Sequence, residues 1–179
     1  LDEITKSFNK QMEPLPKQSF LNQSYSLAFG DQVKTKSSKV IGYNFAFSYA
    51  NEYDYFDDGI TGRYKLINPG DENLSGQLTL DTDINGVQNV LWSALGNINL
   101  KINENNKIGL LLLHNQSALS TGRYQEGEKN SDEAGMFYQT RTMQYLQRGL
   151  SSAQLSGDHF LKSLGKMKIN WLSSFTYST

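Results

Sequence analysis

The stretch "GYNFAFSYANEYDY", residues 42–55, alternates between two kinds of position. Tyr43, Phe45, Phe47 and Tyr49 point one way, and Asn44, Ala46, Ser48 and Ala50 point the other. A period of two is the mark of an extended strand with two unlike faces. The pattern recurs along the chain. Residues 19–30 set Leu21, Tyr25, Leu27 and Phe29 against Asn22, Ser24, Ser26 and Ala28. Residues 87–102 set Trp92, Ala94, Ile98, Leu100 and Ile102 against Ser93, Asn97, Asn99 and Lys101. Residues 166–178 set Met167, Ile169, Trp171, Phe175 and Tyr177 against Lys168, Asn170, Ser174, Thr176 and Ser178. Residues 107–116 predict a further strand, although 110–113 are apolar on both faces. A long strand is predicted over 137–161, with a bulge where Met143 and Tyr145 fall out of phase with Leu146 and Leu150. The predicted fold is all-β, built from about six antiparallel strands. Ile4 and Phe8 predict a short amphipathic helix over 1–12, which Pro14 and Pro16 would end.

The connections add a second pattern. "KTKSSK" at 34–39, "NENN" at 103–106 and "KSLGK" at 162–166 are short turns. Long polar loops are predicted at about 52–86 and 117–136. Short and long connections therefore alternate, as they do in outer-membrane barrels with short periplasmic turns and longer extracellular loops. A tilted strand crosses a membrane in ~9–11 residues, which suits these segments. On this reading residues 1–18 are an extracellular loop or lead-in segment, and 19–179 are part of a transmembrane barrel. The aromatic face would then meet lipid and the polar face a lumen. The alternative is a soluble β-sandwich binding module, in which the aromatic face is a dry core.

Composition narrows the classes. Of 179 residues, 37% are hydrophobic and 12% aromatic. Mean hydropathy is -0.55. A disordered chain would lack such aromatics, and a sheet that alternates rings with small polar residues accommodates both figures. The net charge of -1 provides no basic field for nucleic acid. Without cysteine there is no disulfide framework and no thiolate site. His114 and His159 are too few to suggest zinc. No apolar run approaches the ~18 residues of a membrane helix. The opening "LDEITKSFNK" carries neither an initiator Met nor a basic leader, and reads as a fragment or a processed chain.

The runs "KSFNKQ", "YSLAFGDQ" and "VIGYNFAFSYANEY" resemble the early barrel of Bacteroidota TonB-dependent outer-membrane receptors. So do "GVQNVLWSALGNINLKINENNKIGLLLLHNQS", "FYQTRTMQYLQRGLSSAQLSGDHFL" and "GKMKINWLSSFTYS". The similarity runs from about Lys6 to the end and is spread along strands. It implies a location in the bacterial outer membrane and a barrel of about 22 strands around a plug. It also implies import of a nutrient of the iron-chelate, cobalamin or glycan class, driven by TonB. The implied partners are a plug domain, the remaining barrel, the TonB complex through a segment this chain lacks, outer-membrane lipid and surface lipoproteins. No nucleic acid and no cofactor is expected. A second possibility is a barrel that transports nothing and serves as an assembly scaffold for protein partners.

Candidate chemistry is sparse. "DTDING", Asp81 to Gly86, matches the opening of a calcium loop, but Trp92 stands where the twelfth-position carboxylate belongs. No metal site is therefore assigned. "EYDYFDDG", residues 52–59, mixes acids with rings and nominates Tyr53, Tyr55, Asp57 and Asp58 for ligand contact; the bland reading is a solvated loop tip. "TGRY" occurs at 61–64 and again at 121–124. Arg63 and Arg123 could hold an anion in bidentate fashion, and Tyr64 and Tyr124 could stack on a ligand. The bland reading is that the repeat arises by chance or by shared turn chemistry. Arg141, Arg148 and Asp158 are strand charges suited to a plug contact or a water path. The N-x-Ser sequons at Asn22, Asn73 and Asn115 are incidental in such a chain. No catalytic constellation is present, and no enzyme activity is expected.

Overall fold

The computed structural model describes residues 6–7, 13–36, 39–66, 68, 70, 72, 74–129, 135–162 and 165–179. Six strands follow one another: β1 (Gln23–Lys34), β2 (Val40–Leu66), β3 (Leu74–Asn103), β4 (Asn106–Lys129), β5 (Met136–Leu161) and β6 (Met167–Ser178). They form one sheet in the order β1-β2-β3-β4-β5-β6. The sheet is antiparallel and, among the described residues, not closed. The predicted helix over 1–12 lies outside the described residues except for Lys6 and Ser7, which are helical.

All three short turns lie where the sequence predicts them. Thr35 N donates to Lys39 O at 2.8 Å and closes the first. In the second, the Asn103 side chain accepts from Asn105 N and from Asn106 Nδ2, both at 2.9 Å. That is the local bond by which asparagine favours turns. The third turns through Gly165 and Lys166, both with positive φ, at 69° and 60°. The long connections are the correction. Residues 52–66, 74–86 and 117–129 are strand, not loop. β2, β3 and β4 run on for 27, 30 and 24 residues. Acids, Gly and Asn have poor strand propensity, so these segments read as loop, but pairing supplies the hydrogen bonds they need, from both sides for 74–86 and 117–129 and from β3 alone for 52–66, since β1 ends opposite Asn51.

The chain packs as two compact units, each with parts of several strands. One comprises Asn22–Glu52, Asn89–Ala118 and Leu146–Thr179. Here the register sorts side chains cleanly. Tyr25 lies opposite Tyr49, Leu27 opposite Phe47 and Phe29 opposite Phe45, while Ser24, Ser26 and Ala28 lie opposite Ala50, Ser48 and Ala46. Contacts carry the first face across the unit. The Phe29 and Phe45 rings stack at 5.7 Å, Phe47 meets Trp92 at 6.5 Å and Trp92 meets His114 at 4.6 Å. His114 Nδ1 and Ser151 Oγ are 2.8 Å apart, and Ser151 lies opposite Tyr177. On the second face Ser48 and Ser93 share a hydrogen bond of 2.7 Å, Ser156 donates to Gly109 O at 3.4 Å, and Asn170 bonds Asp158. Leu111 and Leu113, one step out of phase with His114, interrupt this polar face, as do Leu150, Phe160 and Leu172. The register from Leu150 to Leu161 against β6 is constant, with no residue skipped.

The aromatic face is not covered. Phe29 is 55%, Phe47 42% and Phe175 71% exposed. Among the described residues Leu80 is the one buried hydrophobic side chain, and it belongs to the other unit. A sheet that buries its apolar face against protein looks different.

Candidate functional site

The other unit comprises Leu1–Leu21, Tyr53–Gln88 and Leu119–Tyr145, and holds all eight residues that the sequence nominates for ligand contact. Its centre is a residue the nominations passed over. Asp83, on β3, is 2% exposed. Arg123 Nε donates to Asp83 Oδ1 at 2.8 Å and Arg123 Nη2 to Oδ2 at 2.5 Å. Thr61 Oγ1 and Gln125 Nε2 also donate to Oδ2, at 2.9 and 3.1 Å. A buried carboxylate requires such partners, and a bidentate guanidinium is the strongest of them. Arg123, then the other donors, holds the Asp83 carboxyl below the usual carboxylate range, against the opposing effect of burial. The carboxylate in turn raises the Arg123 guanidinium above its usual value.

The two copies of the repeat play different parts. Thr61 from the first "TGRY" and Arg123 from the second converge on one Asp83 from the strands on either side. Arg123 therefore spends Nε and Nη2 on Asp83 and keeps part of its side chain exposed. The structure equally removes the calcium-loop geometry. Asp81, Asp83 and Asn85 lie along one extended strand, where alternate residues stand ~6.6–6.8 Å apart and cannot wrap an ion. Among the described residues no group of three His, Cys, Asp or Glu side chains could hold a metal.

The nominated tyrosines lie on the opposite face. An atom placed at the Cβ position of Gly59 would meet Asp83 Cβ at 3.1 Å, which puts Gly59 on the Asp83 side. The same construction at Gly86 meets Tyr55 at 3.8 Å, and Gln88 Nε2 donates to Tyr53 Oη at 3.2 Å. Asp83 and Gly86 are on opposite faces of β3, so Tyr53 and Tyr55 face away from Asp83. Tyr55 and Gly59 are four residues apart yet on opposite faces, so one extra residue enters between them or between Asp83 and Gly86, as a β-bulge inserts one. Tyr64 lies over Gly62 on the face opposite Thr61. Tyr124 follows Arg123 and points away from Asp83, bonding Glu126, and Gln139 donates to its hydroxyl at 2.7 Å. The bond between Tyr124 and Glu126 raises the Tyr124 phenol and lowers the Glu126 carboxyl relative to their ordinary values.

Tyr53, Tyr55, Tyr64 and Tyr124 thus share one face. Arg141 crosses the Tyr124 ring at 5.4 Å and meets Glu13 at 3.2 Å, and Pro14 abuts Gly122. The lead-in segment is pinned to this face by those contacts. Tyr55 donates a long bond of 3.4 Å to Asp57. Asp57, Asp58 and Arg63 are exposed, and Arg63 has no ion pair or hydrogen-bond partner among the described residues. The face offers rings, hydroxyls and amides. Among the described residues it shows no nucleophile paired with a base.

No family model, curated protein or solved structure matches this chain.

Proposed function

We propose that this chain is part of the barrel wall of a TonB-dependent outer-membrane receptor that imports a nutrient. The observation that carries the membrane half is the sorting of side chains in the unit built from Asn22–Glu52, Asn89–Ala118 and Leu146–Thr179. One face is aromatic and aliphatic, and it is exposed across six strands. The other is mostly Ser, Ala, Asn and Gln. Bilayer lipid covers a face of the first kind, and a watery lumen suits the second. Polar-tipped rings, Tyr25, Tyr49, Trp92, His114 and Tyr177, lie toward the end away from the short turns, where an aromatic girdle would sit. β1 and β6, at 12 residues each, have the length of one tilted crossing. Leu111, Leu113 and Leu172 would offer the plug an apolar footing. A soluble sandwich would need a second sheet over the aromatic face, and all six strands lie in one.

The transport half rests on the resemblance. Within it, recognition falls to the tyrosine face, where Tyr55 bonds Asp57, with Asp58, Arg63 and Arg123 as the remaining nominated contacts. Fluorescence tests the membrane half. The full-length protein is reconstituted in vesicles whose acyl chains carry bromine, and the signal lost on Trp92→Phe plus Trp171→Phe isolates those two rings. Strong quenching by brominated relative to plain lipid is expected. Unquenched emission would place both rings against protein and overturn the barrel reading. For transport, nutrient uptake that continues in cells without TonB would overturn the receptor assignment.

A further inference from the structure

The unit made of Asn22–Glu52, Asn89–Ala118 and Leu146–Thr179 is cationic. Its eight lysines and Arg148 stand against four acids, Asp31, Glu52, Glu104 and Asp158, in a chain whose net charge is -1. The lysines gather at the short turns. Lys34, Lys36 and Lys39 mark the first, Lys101 and Lys107 flank the second, and Lys162, Lys166 and Lys168 mark the third. The strands follow one another in the sheet, so the three turns share one end of it. Neighbouring turns are two strands apart, ~9–10 Å. All eight lysines are exposed, and among the described residues none is in an ion pair. Of the acids at this end, Asp31 accepts from Gln32 N at 2.7 Å and Asp158 accepts from Asn170. The aromatic face runs down to the same turns, through Val33 opposite Ile41 and Leu161 opposite Met167.

We propose that this row of lysines holds the anionic headgroups of one phospholipid leaflet. The inference rests on the membrane reading above. Two observations select that occupant. The first is position. A row of unpaired cations lies where an exposed apolar face stops, and at that level of a bilayer hydrocarbon gives way to phosphate. Lys34 and Lys168 leave their strands on the polar face, yet a four-carbon stem carries the ammonium beyond the turn. The second is residue type. Every cation in the row is lysine. Protein interfaces favour arginine and are poor in lysine, because a guanidinium fixes a carboxylate in one geometry. An ammonium is a point charge that meets a phosphate from any direction, which suits headgroups that exchange. A zwitterionic headgroup sets its own amine against the lysines, so the row selects headgroups of net negative charge.

Spin-label spectroscopy of the full-length protein in phosphatidylethanolamine vesicles tests this. The fraction of labelled lipid immobilised at the protein is compared for phosphatidylglycerol and phosphatidylethanolamine carrying the same label. Phosphatidylglycerol should be preferred about fivefold at about 20 mM salt and less than about twofold at about 0.5 M, because salt screens exposed charges. Lys36→Gln, Lys39→Gln, Lys162→Gln and Lys166→Gln together should remove most of that preference. Lys17→Gln, Lys65→Gln and Lys129→Gln, outside the row, should leave it unchanged. Equal immobilisation of the two lipids by wild type would overturn the proposal and leave the barrel reading standing. So would a preference that survives high salt or the four substitutions. An acidic protein that co-purifies with wild type and is lost from the four-lysine variant, while the two lipids are held equally, would give the row to a protein and overturn the lipid assignment. No immobilised lipid at all, from a protein that stays monomeric in buffer without detergent, would overturn both readings.

Discussion

At the residue scale, Asp83 decides more than its sequence context suggests. Its carboxylate takes donors from the strands on both sides, so it ties β2, β3 and β4 at one point. Removing one member of a buried pair leaves the other without compensation, at about 3–5 kcal/mol when both are buried. Arg123 keeps 38% of its side-chain surface exposed, and water softens the loss. Asp83→Asn is therefore expected to cost about 2 kcal/mol, measured as urea unfolding of the full-length protein in micelles. The same residue fixes a pH dependence. Its folded pKa lies below the unfolded value, so its contribution is complete above the ordinary carboxylate pKa and fades as pH falls through the depressed one. Wild type should lose stability relative to the Asn variant across that acid range. Parallel curves for the two proteins would show that the ion pair contributes nothing. Arg63 gives the contrasting case, because its guanidinium faces solvent without a partner among the described residues. Arg63→Ala should leave the unfolding curve within ~0.5 kcal/mol of wild type.

At the scale of elements, the sequence is legible where alternation is strict. The strand bearing Phe45 and Phe47, the turn at Asn103–Asn106 and the strand bearing Trp171 could all be read from period and punctuation. The extensions of β2, β3 and β4 could not, for a physical reason. Between Tyr55 and Gly59 on β2, or between Asp83 and Gly86 on β3, the pairing shifts phase by a residue, and a phase slip erases the period on which the reading depends. The same loss hid the candidate site. Neither the repeat of "TGRY" nor the acids of "DTDING" reveals that Thr61, Asp83 and Arg123 converge, because convergence is set by cross-strand register. The tyrosines were picked out by composition alone, and register then put four of them on one face. Faces also make the sharpest mutational contrast. Phe47→Arg puts a charge on the aromatic face, at about 2–4 kcal/mol if lipid lies there. Ser48→Arg, one residue on, puts it on the polar face and should cost far less. Heat-modifiable migration in gels reads both variants. Equal assembly of the two would mean that neither face meets hydrocarbon.

At the scale of the whole molecule, the open sheet is the dominant fact. β1 and β6 are edge strands of 12 residues, each pairing on one side only among the described residues. Long, regular, apolar-faced edges recruit other strands, and folded proteins shield them. β1 has neither proline nor a described break, and β6 keeps its register with β5 to the last residue pair. Gly149 and Thr179 even extend that pairing by two backbone bonds of 2.9 Å. In a barrel such edges are continued by further strands of the same protein, and closure is the one arrangement that leaves none exposed. Hydrogen exchange can test this directly. Half of the amides of β1 and β6 point away from β2 and β5, as in any edge strand. In the full-length protein in micelles those amides should exchange at least a hundredfold more slowly than in an unstructured peptide, matching their inward-pointing neighbours. Fast exchange at the outward amides of both strands, with protection at the inward ones, would show that the sheet ends where β1 and β6 end, and the barrel reading would fall.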